Sequence, residues 1–118
     1  MKLREAIEVL EAKILFATDE LLDVEIRTAA SSDLMSAILA RVAAPDILLT
    51  GLTNAQAIRT ASVFGIRAVV VVRGRPVEES LVGLAEEEEI VLASTHLTLF
   101  EASGKLYEKG LRSAEGTG

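Results

Sequence analysis

Residues Ile47 to Val77 read ILLTGLTNAQAIRTASVFGIRAVVVVRGRPV, and this stretch decides the fold. It contains two short apolar segments, Ile47 to Leu49 and the valine-rich segment between Arg67 and Arg73. Strands that are apolar throughout are typical of parallel sheets, which are buried on both faces. The stretch therefore predicts a strand, a helix and a second strand in succession.

The boundaries of the helices are marked by residues with known positional preferences. Thr53 and Gln56 have the spacing of a capping box, in which each side chain accepts a backbone amide hydrogen at the start of a helix. Gly65 follows at a position where a left-handed residue typically ends a helix. Thr98 and Glu101 repeat the capping-box spacing and predict the start of the last helix.

Similar units occupy the rest of the chain. Periodicity and turn residues predict helices at 2–12, about 33–43, about 77–86 and from Thr98 to Gly110, and strands at 23–28 and 90–92. Four strand–helix units in succession predict an α/β fold, with a mostly parallel β-sheet of about four to five strands and helices on both faces. Residues 1–111 are expected to form this single domain, and residues 112–118 a flexible tail.

Composition excludes several classes of protein. The chain has 118 residues, half of them hydrophobic, and a formal net charge of −6, so it can fill one core but is a poor match for the backbone of nucleic acid. It has no cysteine and one histidine, which leaves no ligand set for a metal. No apolar run approaches the roughly 20 residues of a membrane span, and the charged start of the chain is unlike a signal peptide. We therefore expect a cytoplasmic protein that binds neither nucleic acid nor membrane.

Polar residues collect at the predicted carboxyl ends of the strands. In open parallel sheets, ligands bind outside these ends, where backbone amides are also free to bind, here those after Thr50 and Ser94. The candidate ligand-binding residues in these loops are Ser32, Asp33, Thr50, Gly51, Thr53, Asn54, Arg73, Arg75, Ser94, Thr95 and His96. The serines and threonines are also consistent with helix caps, and the glycines with turns.

The distribution of charge favours an anion as the ligand. Residues 47–77 include no acidic residue, although the whole chain is acidic, and they include four arginines. Arg73 and Arg75 lie in a loop at the predicted ligand edge, where a positive field beside free amides suits a phosphate. In the alternative interpretation, both side chains point to solvent or pair with Glu78 and Glu79.

Catalysis has one candidate base, since His96 is the only histidine. With Asp33 or Thr50 it would serve hydrolysis or phosphoryl transfer, but it is also an ordinary polar residue for the start of a helix. The Gly-x-Ser-x-Gly, Gly-x-Gly-x-x-Gly and phosphate-loop motifs are all absent. We therefore predict no enzyme, no cofactor and no metal site.

The predicted helix at about 33–43 indicates a second subunit. Past its start, Ser36 and Arg41 are its only polar residues. A helix that is apolar nearly all round must be covered on more than one side, and one layer of a small domain rarely covers it. The sequence therefore predicts a homodimer formed partly through this helix, with Ile38 or Leu39 facing outward.

The order of these motifs resembles that of the DRTGG domain family, over about residues 23–110. The similarity lies in the segments Ser32 to Ser36, Leu49 to Gly51, the valines before Arg73 to Arg75, Ser94 to Thr95, Phe100 to Ala102 and Leu106 to Tyr107. The chain looks most like the small stand-alone members, which are related to the amino-terminal, non-catalytic domain of HPr kinase/phosphorylase. Larger relatives carry the domain as an accessory part of phosphate acetyltransferases and of pyrophosphatases with CBS modules. The string Asp-Arg-Thr-Gly-Gly itself is absent, and a Thr-Gly pair is all that remains of it.

The resemblance implies an α/β domain, commonly dimeric, that acts in regulation or assembly rather than catalysis. Together with the arginine-rich segment, it favours a non-catalytic cytoplasmic regulatory or sensing domain that forms a homodimer and binds a small anionic ligand such as a nucleotide. The first alternative is an interaction module that recruits a partner enzyme and binds no small molecule. The second is a small hydrolase or phosphoryl-transfer enzyme that uses His96.

Overall fold

The structure, a computed structural model, describes residues 1–40 and 43–114. The strands are β1 (Lys13–Phe16), β2 (Thr28–Ser31), β3 (Ile47–Thr50), β4 (Ala68–Val71), β5 (Val91–Ser94) and β6 (Arg112–Ser113). The helices are α1 (Leu3–Val9), α2 (Asp19–Leu22), α3 (Met35–Leu39), α4 (Ala55–Phe64), α5 (Glu79–Glu88) and α6 (Leu99–Glu108). None of the helices in the described residues is long and apolar enough to cross a membrane.

The strands form one sheet in the order β1-β5-β4-β3-β2-β6. The strands β2 to β5 are parallel neighbours, β6 adds a parallel strand beside β2, and β1 is antiparallel to β5. The predicted α/β fold with a mostly parallel sheet is confirmed. Within the described part of the chain, the sheet has six strands rather than four to five, because the short segments β1 and β6 pair along its two edges.

Helices cover both faces of the sheet, as predicted. Ile47 and Leu49 of β3 belong to the core on the side of α1 and α6, whereas Leu48 belongs to the core on the side of α3, α4 and α5. Every residue of β3 and β4 is buried. Burial on two faces explains why these strands are apolar throughout and show no alternation.

The strand predicted at 23–28 is wrong, since β2 begins only at Thr28. The residues before it pair with the start of the chain instead, where the Ile26 amide donates to the Met1 carbonyl at 2.8 Å. Ile26 is fully buried against the core beside α1. The alternation of apolar residues here therefore reflects packing beneath α1 rather than pairing in the sheet.

The helix predicted at about 33–43 is shorter in the structure. It is reduced to the five residues of α3, and residues 41–42 lie outside the described residues. Met35 and Ile38 are buried in the core beside α4, whereas Ala37 is exposed. Ile38, one of the two candidates for an outward-facing residue, therefore points into its own domain.

One of the two predicted capping boxes is present. At the start of α6, the Glu101 amide donates to the Thr98 hydroxyl at 3.1 Å, and the Thr98 amide donates to the Glu101 carboxylate at 3.0 Å. At the start of α4 the prediction is wrong, because the N-cap is Asn54, one residue after Thr53, and its side chain makes no capping hydrogen bond. The predicted end of α4 is confirmed at Gly65, whose φ of 72° is left-handed.

Two other boundaries differ from the prediction. The helix α5 begins at Glu79, two residues after the predicted start at about residue 77. Arg112 and Ser113, which the sequence places in the flexible tail, form β6 beside β2. Their polar side chains gave no sign of a strand, because the pairing is made by the backbone and leaves both side chains exposed. Residues 115–118 of the predicted tail lie outside the described residues.

The two threonines test these helix boundaries. Replacing Thr98 with alanine removes a hydroxyl that caps α6, and is expected to lower the free energy of unfolding by about 1 kcal/mol. The Thr53→Ala variant makes the same chemical change outside a cap, so its urea unfolding midpoint should match that of the original chain. Equal losses in the two variants would contradict the assignment of the cap to Thr98.

Candidate functional site

The predicted loops meet at one edge of the sheet. Thr50, Val71 and Ser94 end β3, β4 and β5 and are register partners, so the loops that follow them are neighbours. The loops after β2, β3 and β4 lead to helices on one face, whereas the loop after β5 leads to α6 on the other. A ligand crevice forms in such sheets where adjacent loops leave in opposite directions. In this chain that position lies between β4 and β5.

The loop after β4 bridges this position. The Arg73 amide donates to the Leu97 carbonyl and the Gly74 amide to the Thr95 carbonyl, both at 2.8 Å. Arg73 and Gly74 have φ values of 65° and 61°, in the left-handed region. Glycine adopts this conformation freely, but arginine does so at a cost, so the two hydrogen bonds hold the loop in place. The backbone of Arg73 is thus fixed next to the end of β5.

The central feature of this edge is a carboxylate held by donors from two neighbouring loops. The Gly51 amide donates to Asp33 Oδ1 at 2.5 Å, and the Thr50 hydroxyl donates to the same oxygen at 3.3 Å. The Arg73 guanidinium lies 3.6 Å from Asp33 Oδ2. The structure thus brings together four predicted site residues, Asp33, Thr50, Gly51 and Arg73, which we call the Asp33 cluster. The side chains of Asp33 and Arg73 are 43% and 47% exposed, so the cluster is open to solvent.

Gly51 has no room for a side chain beside this carboxylate. A Cβ atom at Gly51 would lie 3.1 Å from Asp33 Oδ1, closer than an ordinary van der Waals contact. Gly51 is therefore a point of close approach. The group that approaches is a carboxylate of the same chain.

The two amides that the sequence predicts to be free are engaged. The Gly51 amide donates to Asp33, and the Thr95 amide donates to the Val71 carbonyl at 2.9 Å. Thr95 is 2% exposed, and its hydroxyl donates to the Leu10 carbonyl at 2.6 Å. Its side chain therefore joins the end of β5 to the end of α1. The expectation of free amides at these two positions is wrong, because carboxylate and carbonyl oxygens of the chain already accept their hydrogens.

The two arginines of the loop after β4 have different surroundings. Arg73 forms its ion pair with Asp33, and not with Glu78 or Glu79 as the alternative interpretation had it. Arg75 is exposed on the same loop. Arg73 thus places its guanidinium beside Asp33 in the loop after β2, and the hydrogen bonds that Asp33 accepts from Thr50 and Gly51 connect this pair to the end of β3.

The remaining predicted residues lie around the cluster. The Ser32 hydroxyl accepts from the Leu34 amide at 2.9 Å and closes the turn before α3. Ser94 is half-buried at the end of β5, and His96 is exposed on the loop that follows. The His96 backbone is also near the loop after β4, since a Cβ atom added to Gly74 would lie 3.9 Å from His96 Cα.

A groove adjoins the cluster on the side of α4 and α5. Its volume is about 790 Å³, and Thr53, Asn54, Arg59 and Pro76 are among the residues that line it. Three of these four belong to the loops after β3 and β4, which also carry members of the Asp33 cluster. Asp33, Thr50, Gly51 and Arg73 do not line the groove themselves, so it lies beyond the cluster along these two loops.

A second cavity, of about 270 Å³, which was not predicted, lies between α6 and the neighbouring strands β2 and β6. The hydroxyls of Ser31 and Ser103 are 2.6 Å apart in its lining, and the Arg112 guanidinium lies 4.2 Å from the centre of the Tyr107 ring. The small side chains Ala29 and Ser31 leave this space, where β3 carries larger residues. Small residues at alternate positions of a strand are the signal that could have indicated it.

Two further properties concern the pKa of Glu101, at the start of α6, and the grouping of side chains that could hold a metal. Hydrogen bonds from the Thr98 amide and hydroxyl hold the pKa of Glu101 below its ordinary value, and the nearby His96 adds to the effect. This stabilisation is present above the unfolded-state pKa and is lost as the pH falls through the lowered folded-state pKa, as expected for a cap. Within residues 1–40 and 43–114, no three acidic or histidine side chains are grouped as metal ligands.

The fold is similar to that of a solved regulatory region. The regulatory region of Clostridium perfringens pyrophosphatase, with CBS and DRTGG domains and its activator diadenosine tetraphosphate, matches with a TM-score of 0.70 and 16% sequence identity. The match covers 89% of this chain and 45% of that chain, so the present chain spans less than half of it. No protein-family model and no curated protein matches the sequence. The likeness shows a shared α/β fold.

Proposed function

We propose that the chain is a non-catalytic regulatory domain of the DRTGG type, which binds a small phosphate-bearing ligand such as a nucleotide at the carboxyl edge of its sheet. The solved region of similar fold is a regulatory region, and its structure contains a nucleotide activator. Among the described residues, no hydrogen bond or ion pair joins His96 to Asp33 or Thr50. The described residues thus show donors of the kind that bind an anion around Asp33 and no assembled acid–base pair, and binding is the function that they support better.

The observation that carries this proposal is that the donors of the Asp33 cluster already bind a negatively charged group, the carboxylate of Asp33. A backbone amide, a hydroxyl and a guanidinium from the loops after β3 and β4 already surround a carboxylate. Phosphate oxygens use the same three kinds of donor, and arginine binds them with several hydrogen bonds at once. The donors at this edge are therefore suited to an anion of either kind.

The surroundings extend the same chemistry. Arg59 lines the neighbouring groove together with Glu78 and Glu87, and Arg75 is exposed on the loop that carries Arg73. The groove is large enough for a nucleoside beside the cluster, where its phosphates would meet Arg73. This combination of a polyanion site and adjoining space supports a nucleotide more than an isolated phosphate ion.

Replacing Arg73 with alanine is expected to weaken the binding of ATP and of diadenosine tetraphosphate about ten- to a hundred-fold. The reason is that a hydrogen bond to a charged group contributes about 1.5–3 kcal/mol. Isothermal titration calorimetry measures this change. The matched control is Arg67→Ala, since Arg67 is also exposed and precedes β4 as Arg73 follows it. The control makes the same change in net charge at the opposite edge of the sheet, and should leave affinity unchanged.

Two results would contradict the proposed site. If the original chain gives neither heat nor a thermal shift with these nucleotides, it binds none of them, and an interaction module that recruits a partner enzyme becomes the better function. If Arg67→Ala and Arg73→Ala weaken binding equally, the net charge of the chain determines the affinity and the cluster does not.

The affinity for these nucleotides should also fall with added salt, since exposed charges are screened over about 10 Å at 0.1 M.

We also propose that the domain forms a homodimer through the surface around α3. Leu34 is 62% exposed just before this helix, Ala37 is exposed on it, and Ala40 is exposed just after its end. These residues place an apolar surface of small side chains next to the Asp33 cluster, and such surfaces mark sites of association. Light scattering should give twice the mass of one chain, and the mass of a single chain would contradict the proposal.

A further inference from the structure

We infer that the Asp33 carboxylate is an internal competitor for the anionic group of the ligand, so that binding releases Asp33 and frees the segment between β2 and α3. This inference rests on the proposed function, because it concerns the regulation of the same site. It makes Asp33 a switch residue rather than a direct ligand-binding residue. In this respect the inference differs from the prediction made from the sequence, in which Asp33 is one of the residues that bind the ligand.

The Gly51 amide cannot bind Asp33 and a phosphate oxygen fully at the same time. The Gly51 amide has one hydrogen, and Asp33 Oδ1 accepts it at 2.5 Å. A phosphate oxygen can accept this hydrogen only after the carboxylate has left. Gly51 also allows the carboxylate its close approach, since a Cβ atom would lie 3.1 Å from Asp33 Oδ1. The same open space above the glycine admits a ligand oxygen once Asp33 has moved.

The Asp33 carboxylate would also repel a phosphate that binds Arg73. Asp33 Oδ2 is 3.6 Å from the Arg73 guanidinium, so a phosphate that binds Arg73 would lie within a few ångströms of a carboxylate. Like charges at such distances repel, and a polyphosphate carries more charge than the carboxylate that it replaces. The Asp33 side chain is 43% exposed, so it can turn into water without crossing the core. Displacement is therefore favoured over shared occupancy.

Asp33 also holds the segment before α3 in place. Asp33 links the turn before α3 to the end of β3, and the hydrogen bond between Ser32 and Leu34 lies within that turn. The helix α3 has five residues, and the side chain of its N-cap, Leu34, makes no capping hydrogen bond. A helix this short depends on tertiary contacts for its stability. Loss of the Asp33 contacts should therefore loosen α3, which carries the proposed dimer surface.

The experiment compares three chains by calorimetric titration with inorganic tripolyphosphate. Asp33→Asn keeps an oxygen that can accept from Gly51 but removes the charge that competes for Arg73. We expect this variant to bind tripolyphosphate about tenfold more tightly than the original chain, by the strength of a charge-assisted hydrogen bond. Glu86→Gln is the control, because it removes one negative charge from an exposed residue near the far end of α5. Its affinity should equal that of the original.

Amide hydrogen exchange in the unmodified chain supplies an independent measurement. The Ala37 and Ala40 amides donate to the Leu34 and Ser36 carbonyls. Saturating tripolyphosphate should speed their exchange, although binding usually slows exchange near a ligand. Asp33→Asn can keep the hydrogen bond from Gly51 but loses the ion pair with Arg73, so without the ligand its exchange at both amides should be faster than in the original chain and slower than in the original chain saturated with tripolyphosphate.

Each outcome bears on the inference. Tighter binding by Asp33→Asn with faster exchange at α3 supports it. If the original chain binds and Asp33→Asn binds equally or more weakly, the competitor role is wrong while the proposed site stands. Slower exchange at Ala37 and Ala40 in the ligand-bound original chain would also overturn the inference and leave the site intact. If neither chain binds tripolyphosphate or nucleotide, the proposed function fails, and the inference fails with it.

Discussion

Replacing Ile38 with glutamate is expected to unfold the protein or to leave it insoluble. Ile38 is 1% exposed and packs in the core beside α4. Loss of the apolar side chain costs about 2–5 kcal/mol, and the buried carboxylate adds several kcal/mol of lost hydration. The sum, roughly 5 kcal/mol or more, is comparable to the whole stability of a typical small domain. Circular dichroism and urea unfolding measure this loss.

Leu34→Glu is the matched control for this change. It introduces the same charge four positions earlier, at a side chain that is 62% exposed, so the urea midpoint should stay close to that of the original chain. In light scattering, the variant should have the mass of one chain if the dimer forms around α3. An Ile38→Glu chain with an unchanged midpoint would contradict the packing of α3, and a dimeric Leu34→Glu chain would contradict the interface.

Replacing Thr95 with valine is expected to destabilise the protein by about 3 kcal/mol, although the two side chains have nearly the same shape. The Thr95 hydroxyl donates to the Leu10 carbonyl at 2.6 Å and accepts from the Leu97 amide at 3.2 Å. Thr95 is 2% exposed, so water cannot replace the hydroxyl in either hydrogen bond. The variant therefore leaves two buried backbone groups without partners. The melting temperature should fall by roughly 10 °C.

Thr53→Val controls for the change of side chain, because Thr53 lies on the surface groove outside the cap of α4. Its melting temperature should change by no more than about 2 °C, as expected for a surface substitution. If Thr95→Val has the same melting temperature as this control, the hydrogen bonds of Thr95 with Leu10 and Leu97 contribute little to the stability of the protein. The two variants together separate the loss of a buried hydrogen bond from the loss of a hydroxyl.

The parts of the fold that could be predicted are those in which local pattern and burial agree. Both β3 and β4 are apolar because both of their faces are covered, and no other structure explains four successive valines as well. The segment 23–28 shows the limit of this reasoning. Its alternation reflects real burial of Ile26, but a single sequence does not distinguish a sheet neighbour from a segment that pairs with the start of the chain.

The two capping motifs illustrate a second limit. Thr98 with Glu101 and Thr53 with Gln56 have the same spacing, yet the first forms a capping box and the second does not. The difference is a shift of one residue, since the extended backbone continues to Asn54 before α4 begins. Hydrogen bonds of this kind depend on where the preceding loop leaves the sheet, which a motif of four residues does not contain.

The candidate site was predictable as a location but not as a set of contacts. The order of strands and helices was enough to bring the loops of Asp33, Gly51 and Arg73 to one edge. The pairing of Asp33 with Gly51 and Arg73 required the register of three neighbouring strands. The prediction of free amides failed for the same reason, because the sequence does not show which acceptors of the chain lie opposite them.

The position of β6 has a consequence for the way in which the chain folds. The strands β2 to β5 follow one another along the chain, but the outer edge of β2 is paired with Arg112 and Ser113, which come after α6. During synthesis, the four central strands can assemble on the ribosome while this edge still has no neighbour. Pairing over such a distance along the chain is slow, and an open edge accepts strands from other molecules. Closure of this edge is therefore expected to be the last step of folding, and the interval before it is when nascent chains are most exposed to aggregation.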